Sequence, residues 1–247
     1  MKYGELKSKI LLVLTLGTMA NMSSVYAAGP LVITKSDTVT QESGATYTSD
    51  TTTPFGISFS QDGTNERTYT LKSERLEAKG SQAGIGVAGD TLVVQTTQDA
   101  LVEGKSSGIY VGWANSPGIT TYPDFPTSGI ENTPKSSVTI QSQGNNEIRQ
   151  IGRGTSDISA GISLQGDVTF ALESTSGNNT VKSAGGHGLL VGTTNNPTVG
   201  EVTVTAGKSN TFTGALYGIQ AMGTSGMVSS GINPNESDSD SMETGYL

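Results

Sequence analysis

The sequence predicts an all-β chain wound as a solenoid, a parallel β-helix, behind an N-terminal export signal. Three observations predict it. A glycine-started strand recurs along the chain, two further short strands follow it in fixed order, and an Asn-bearing corner returns at one place in successive units.

The glycine-started strand reads Phe55-Gly56-Ile57-Ser58-Phe59, Ala83-Gly84-Ile85-Gly86-Val87, Ser107-Gly108-Ile109-Tyr110-Val111, Ala160-Gly161-Ile162-Ser163-Leu164, His187-Gly188-Leu189-Leu190-Val191 and Tyr217-Gly218-Ile219-Gln220-Ala221. After each glycine the order is apolar, other, apolar, the period-2 pattern of a half-buried strand. The glycines are 28, 24, 53, 27 and 30 residues apart. The long interval equals one unit plus an insertion, assigned to residues 112–135.

The second strand type is Val138-Thr139-Ile140, Val168-Thr169-Phe170 and Val202-Thr203-Val204. The third is Asn146-Glu147-Ile148, Asn179-Thr180-Val181 and Asn210-Thr211-Phe212. Three strands per unit in constant order is what one triangular coil requires, each pairing with its equivalent about 4.8 Å away. Ile109, Ile162 and Leu189 are expected in one inward column, and Val138, Val168 and Val202 in another. Asn145-Asn146, Asn178-Asn179 and Ser209-Asn210 mark the corner between the second and third strands. Asn tolerates the left-handed backbone of a tight corner, and stacked amides bond along a ladder.

The ends read differently. Lys2, Lys7 and Lys9 precede the apolar run Ile10–Leu16, and Val25-Tyr26-Ala27 places small residues before a cut at Ala28, so residues 1–27 read as a cleaved signal peptide. The run is too short to span a bilayer, which needs about 20 apolar residues. Residues 28–54 are expected to cap the first coil, and residues 55–222 to form the coils. Residues 223–247 are a polar acidic loop or tail, with Glu236, Asp238 and Asp240, expected to be cut short of its continuation.

Composition narrows the function classes. The formal charge of −8 includes a leader with three Lys and one Glu, so the exported part carries −10. Nucleic acid and anionic membranes need a basic face, so this acidic balance argues against both as partners. The absence of cysteine excludes a disulfide framework and thiolate metal sites. A hydrophobic share of 33% fits either disorder or a thin β core with many turns, and the repeats decide for the second.

The motifs G-I-x-V, V-T-V and G-N-N-x-V behind a signal peptide resemble passenger regions of bacterial autotransporters, the type V secretion class, over residues 55–222. The resemblance implies a right-handed parallel β-helix displayed at the cell surface, adhesive or structural in role. It implies a C-terminal translocator barrel that this sequence does not contain. It also implies a glycan or protein on a host or neighbouring cell as partner.

The search for chemistry is less productive. Gly186-His187-Gly188 is similar to an element of pectin-degrading β-helix glycosidases, and Asp167 lies one coil earlier. The paired aspartates that glycoside hydrolysis needs are missing, and His187 occupies a variable position of the repeat. Asp90, Asp167 and Glu201 each follow a glycine. Asp167 and Glu201 are expected about 5 Å apart in adjacent coils, which is turn chemistry rather than a calcium shell. No catalytic residue, metal or cofactor is assigned. The ligand-binding expectation rests on the insertion, with Trp113, Tyr122 and Phe125 as aromatic contacts or as rings covering the core.

Overall fold

A computed structural model describes residues 29–60, 66–112, 135–153, 159–192 and 198–221, and the backbone of 225–232. Every element in it is a strand, and every strand pair is parallel. Among the described residues no helix is long and apolar enough to cross a membrane. The predicted signal peptide lies outside the described residues; of the segment 223–247 expected as a loop or tail, the backbone of 225–232 forms a strand, and 233–247 lies outside the described residues.

The strands fall into three sets that recur in chain order. The first contains β1 (Leu31–Ile33), β4 (Phe55–Phe59), β7 (Ala83–Val87), β10 (Ser107–Gly112), the start of β13 (Ala160–Ser174), β15 (His187–Val191) and β18 (Ile219–Ala221). The second contains β2 (Asp37–Gln41), β5 (Thr68–Ser73), β8 (Thr91–Thr96), β11 (Ser136–Ser142), the end of β13, β16 (Thr198–Ala206) and β19 (Ser225–Ile232). The third contains β3 (Ala45–Thr48), β6 (Leu76–Gly80), β9 (Ala100–Gly104), β12 (Asn146–Gln150), β14 (Asn178–Ser183) and β17 (Ser209–Thr213). Each strand bonds to its equivalent in the neighbouring repeat. The third set makes a six-stranded sheet, and β13 runs through a corner to join the first two into a thirteen-stranded one. The result is a curled, solenoid-like stack. The segment expected as a cap, 28–54, supplies a full repeat of its own in β1, β2 and β3.

Inward columns run the length of the stack. Ile57, Ile85, Ile109, Ile162 and Leu189 are aligned and fully buried. Ala78, Val102, Ile148 and Val181 form the matching column of the third set. The expected column of Val138, Val168 and Val202 needs correction: Val138 aligns with Phe170, which aligns with Val202, and Val168 faces Ser136 and Gly200. A slip of two residues keeps every side chain on its face, so alternation alone does not detect it.

The recurrent glycine has a packing cause. A Cβ on Gly84 would stand 2.8 Å from the Glu103 nitrogen, on Gly108 3.0 Å from the Arg149 nitrogen, and on Gly188 3.0 Å from the Thr213 nitrogen. The first strand of each repeat thus starts against the backbone of a third-set strand, an approach that a side chain would block.

The corner between the first and second strands has its own signature. Glu66 (φ 64°), Gly89 (73°), Gly112 (108°), Gly166 (83°), Gly192 (72°) and Gly200 (127°) all lie at or beside it. Left-handed backbone thus recurs at this corner, and at five of the six positions it falls on glycine, which adopts it without steric cost. The long insertion opens from Gly112 at this corner.

Candidate functional site

The corner between the second and third strands is built from stacked amides. Asn146, Asn179 and Asn210 align in the ladder. Asn146 Nδ2 donates to Asn179 Oδ1 at 2.8 Å, and Asn179 Nδ2 donates to Asn210 Oδ1 at 2.8 Å. Asn179 Nδ2 also donates to the Thr205 carbonyl at 2.6 Å. Asn146 and Asn179 are fully buried, and their amide nitrogens find partners along the row in place of solvent, while Asn146 Oδ1 is left without one. A second, exposed row runs outside it. Asp99 Oδ1 accepts from the Asn145 backbone at 2.6 Å, Asn145 Oδ1 accepts from the Asn178 backbone at 3.0 Å, and Ser209 Oγ donates to Asn178 Oδ1 at 2.7 Å.

Beside this corner the outward residues of the second set form a polar zipper. Gln95 Nε2 donates to Gln141 Oε1 at 2.9 Å, and Gln141 Nε2 donates to Glu173 Oε2 at 2.9 Å. The zipper meets a shallow cleft of about 410 Å³. Its walls are the ends of successive strands and the turns after them: Gln41 and Glu42, Lys72 and Glu74, Gln95 and Thr97, then Gln143. Four repeats contribute the same position, so donors and acceptors recur at the strand spacing of about 4.8 Å.

The outer face of the third set carries charge. Lys79, Glu103, Arg149 and Lys182 align across four repeats. Arg149 reaches Glu147 at 2.6 Å and Glu103 at 3.6 Å, Lys182 reaches Glu147 at 3.7 Å, and Lys79 pairs with Glu77. The hydrogen bond from Arg149 holds the Glu147 carboxyl below its ordinary range, and the Glu77 hydrogen bond raises the Lys79 ammonium. These charges are spent on one another and leave no unbalanced patch.

The residues singled out for chemistry are not assembled. Asp167 lies opposite Val199 and Glu201 opposite Thr169, two residues apart in the ladder, so the stacked carboxylate pair expected from the Gly-Asp and Gly-Glu spacing does not form. The cause is the variable corner, which carries different numbers of residues in the two repeats. Asp90 instead lies buried against Arg67 of the preceding repeat. Arg67 Nη2 and Nε reach the two Asp90 carboxylate oxygens at 3.0 and 3.1 Å, and Arg67 Nη2 also donates to the Ser60 carbonyl at 2.7 Å. The guanidinium lies 5.4 Å from the centre of the Phe59 ring. This fork fastens two consecutive left-handed corners.

His187 is buried, and its ring stacks on Tyr217 of the next repeat, with centroids 5.7 Å apart and planes 4° from parallel. Burial pushes its pKa down, and its Nδ1 has no hydrogen-bond partner. Its ring neighbour among the described residues is Tyr217, and burial is the cause of the lowered pKa. Among the described residues no group of three or more acidic or histidine side chains stands ready to hold a metal ion. Trp113, Tyr122 and Phe125 lie outside the described residues.

No protein-family model matches the chain, and neither the curated proteins nor the solved structures contain a match to it. Its own geometry therefore carries the functional reading. Sequence reasoning identified the Asn corner but missed the cleft beside it. Its lining residues read as ordinary outward positions until the register puts four repeats side by side.

Proposed function

We propose that the chain is an exported, surface-displayed right-handed parallel β-helix whose work is binding rather than catalysis, as in the passenger of a type V secretion system. The observation that supports binding is the recurrence of one polar position across four repeats, which turns a row of strand ends into a cleft along the stack. An elongated ligand with regularly spaced hydroxyls or amides fits such a surface. A glycan chain or an extended protein segment on a host or neighbouring cell has that chemistry. The scaffold suits the task because its continuous core runs beneath the cleft and holds it rigid, and rigidity reduces the ordering cost of binding.

Glycan arrays and cell-binding assays with residues 28–247 test this reading. Wild type is expected to bind, and Gln95→Ala with Lys72→Ala is expected to weaken binding while leaving the circular dichroism spectrum unchanged. A folded wild-type protein that binds no glycan and no cell surface would refute it.

A further inference from the structure

The cleft at the ends of the second-set strands has two walls, each with one position per repeat. Thr40, Lys72 and Gln95 align in the ladder and form one wall. Glu42, Glu74 and Thr97, in the turns that follow, form the other, and Gln143 extends it into a fourth repeat. The zipper donates in one direction, Gln95 to Gln141 and Gln141 to Glu173, so Gln95 Oε1 ends it as an acceptor beside the cleft. Lys72 next to it is a donor, and the Glu42 and Glu74 carboxylates are acceptors. Every lining side chain is polar, and none is aromatic or aliphatic.

That chemistry separates the ligands that fit. A protein segment gains most of its affinity from apolar and aromatic anchors seated in pockets, and this lining offers none. Nor does a peptide add as a strand in the middle of the cleft, where β5 and β8 already have a strand on both sides. An extended peptide also advances about 3.3 Å per residue, out of step with repeats about 4.8 Å apart. A linear pyranose chain advances by close to one strand spacing per sugar, so it meets an equivalent position at each repeat. Its hydroxyls both donate and accept, and so suit ammonium, amide and carboxylate alike. Two carboxylates against one ammonium in the lining disfavour glycans that carry carboxylates or sulfates of their own.

We propose that the cleft takes a neutral linear polysaccharide, laid along the stack axis with one sugar against each repeat. This rests on the binding role proposed for the chain and names the ligand class for the same cleft. From Thr40 to Gln143 the lining spans four repeats, or three spacings of about 4.8 Å, so four sugars fill it. Affinity is then spread over similar polar contacts rather than held by a central anchor, and the length of the glycan sets it.

Titration calorimetry on residues 28–247, which include every described residue, tests this with oligosaccharides of increasing length, from a single sugar to beyond the four that fill the cleft. The neutral panel consists of glucan, mannan, xylan and chitin fragments, and the acidic panel of galacturonan and hyaluronan fragments. At least one neutral series is expected to bind, with affinity rising at each added sugar until the cleft is full and level beyond. Gln95→Ala and, separately, Lys72→Ala at an exposed position are expected to weaken the tetrasaccharide about three- to tenfold, the loss of one hydrogen bond, with the far-ultraviolet circular dichroism retained. The proposal is overturned by tighter binding of the acidic panel, by affinity already complete at a single sugar, or by neutral binding that neither variant weakens. It is also overturned by a chain that binds cells or proteins but no glycan, a result that leaves the binding role standing. A folded chain that binds no glycan and no cell surface removes both.

Discussion

Asn146 and Asn179 face each other across adjacent repeats with a side-chain amide hydrogen bond of 2.8 Å, and neither is exposed to solvent. Asn179 in turn donates to Asn210, so the central amide serves a neighbour on each side. Asn179→Ala would remove an acceptor from Asn146 and a donor from Asn210 at once. The expected loss is about 2–4 kcal/mol, since each buried polar group left unsatisfied costs about 1–3 kcal/mol. Asn178→Ala in the exposed outer row is expected to cost about 1 kcal/mol or less, because water replaces the lost bond. Urea denaturation of the two variants checks the difference. Equal losses would mean that the buried ladder adds nothing beyond the exposed one.

Arg67 and Asp90 make the one buried ion pair described, with side chains 8% and 1% exposed. Removing one partner strands the other charge. Asp90→Ala is therefore expected to destabilise by about 3–5 kcal/mol, whereas a joint Arg67→Met, Asp90→Ala replacement recovers much of that loss. A double-mutant cycle by chemical denaturation measures both. An additive double mutant would show that the two side chains act separately and that the fork between the corners is not what matters.

Register explains what the sequence alone reveals and what it hides. Ile109, Ile162 and Leu189 are recognisable as a column because the glycine before each is fixed by its approach to the neighbouring backbone. The Asn corner is recognisable because two or three residues separate the second strand from the third there, and the count hardly changes. The left-handed corner has no such constancy. Gly84 precedes Leu92 by eight residues, while Gly161 precedes Phe170, two positions further along the same column, by nine and Gly188 precedes Val202 by fourteen. A motif match across that corner therefore slips by two without penalty, which misplaced Val168 and brought Asp167 and Glu201 together on paper. The Arg67–Asp90 pair and the polar cleft are hidden for the same reason, since both join residues from different repeats.

Gly161 offers a sharper test of the packing than any apolar residue. A Cβ there would stand 2.6 Å from Val181 Cγ1 and 2.8 Å from the Gly188 carbonyl oxygen. One contact is backbone and cannot swing aside. Gly161→Ala is expected to destabilise by about 1–3 kcal/mol, the usual range for overpacking. Gly112→Ala adds backbone strain to collision, since φ is 108° and the new Cβ would meet the Gln165 carbonyl oxygen at 1.6 Å. Thermal denaturation followed by circular dichroism would rank Gly112→Ala below Gly161→Ala. The reverse order would argue that the corner after β10 relaxes freely.

The single histidine gives the stack a pH dependence whose direction follows from burial. His187 stacks on Tyr217 with Nδ1 unpartnered, and desolvation lowers its pKa below the ordinary 6.5. The unfolded chain therefore takes up the proton first as pH falls. Stability from neutral His187 is present above about pH 6.5 and declines as pH drops from there toward the folded value. Glu147 works in a separate window. Arg149 depresses its carboxyl below 4.5, so its contribution is present above 4.5 and is lost as pH falls through the depressed value. Urea midpoints measured between about pH 7.5 and pH 5.5 thus report on the histidine. Wild type is expected to weaken over that interval and His187→Phe, which keeps a ring against Tyr217, to stay level. Parallel profiles for the two proteins would mean that His187 takes a proton in the folded chain as readily as in the unfolded one.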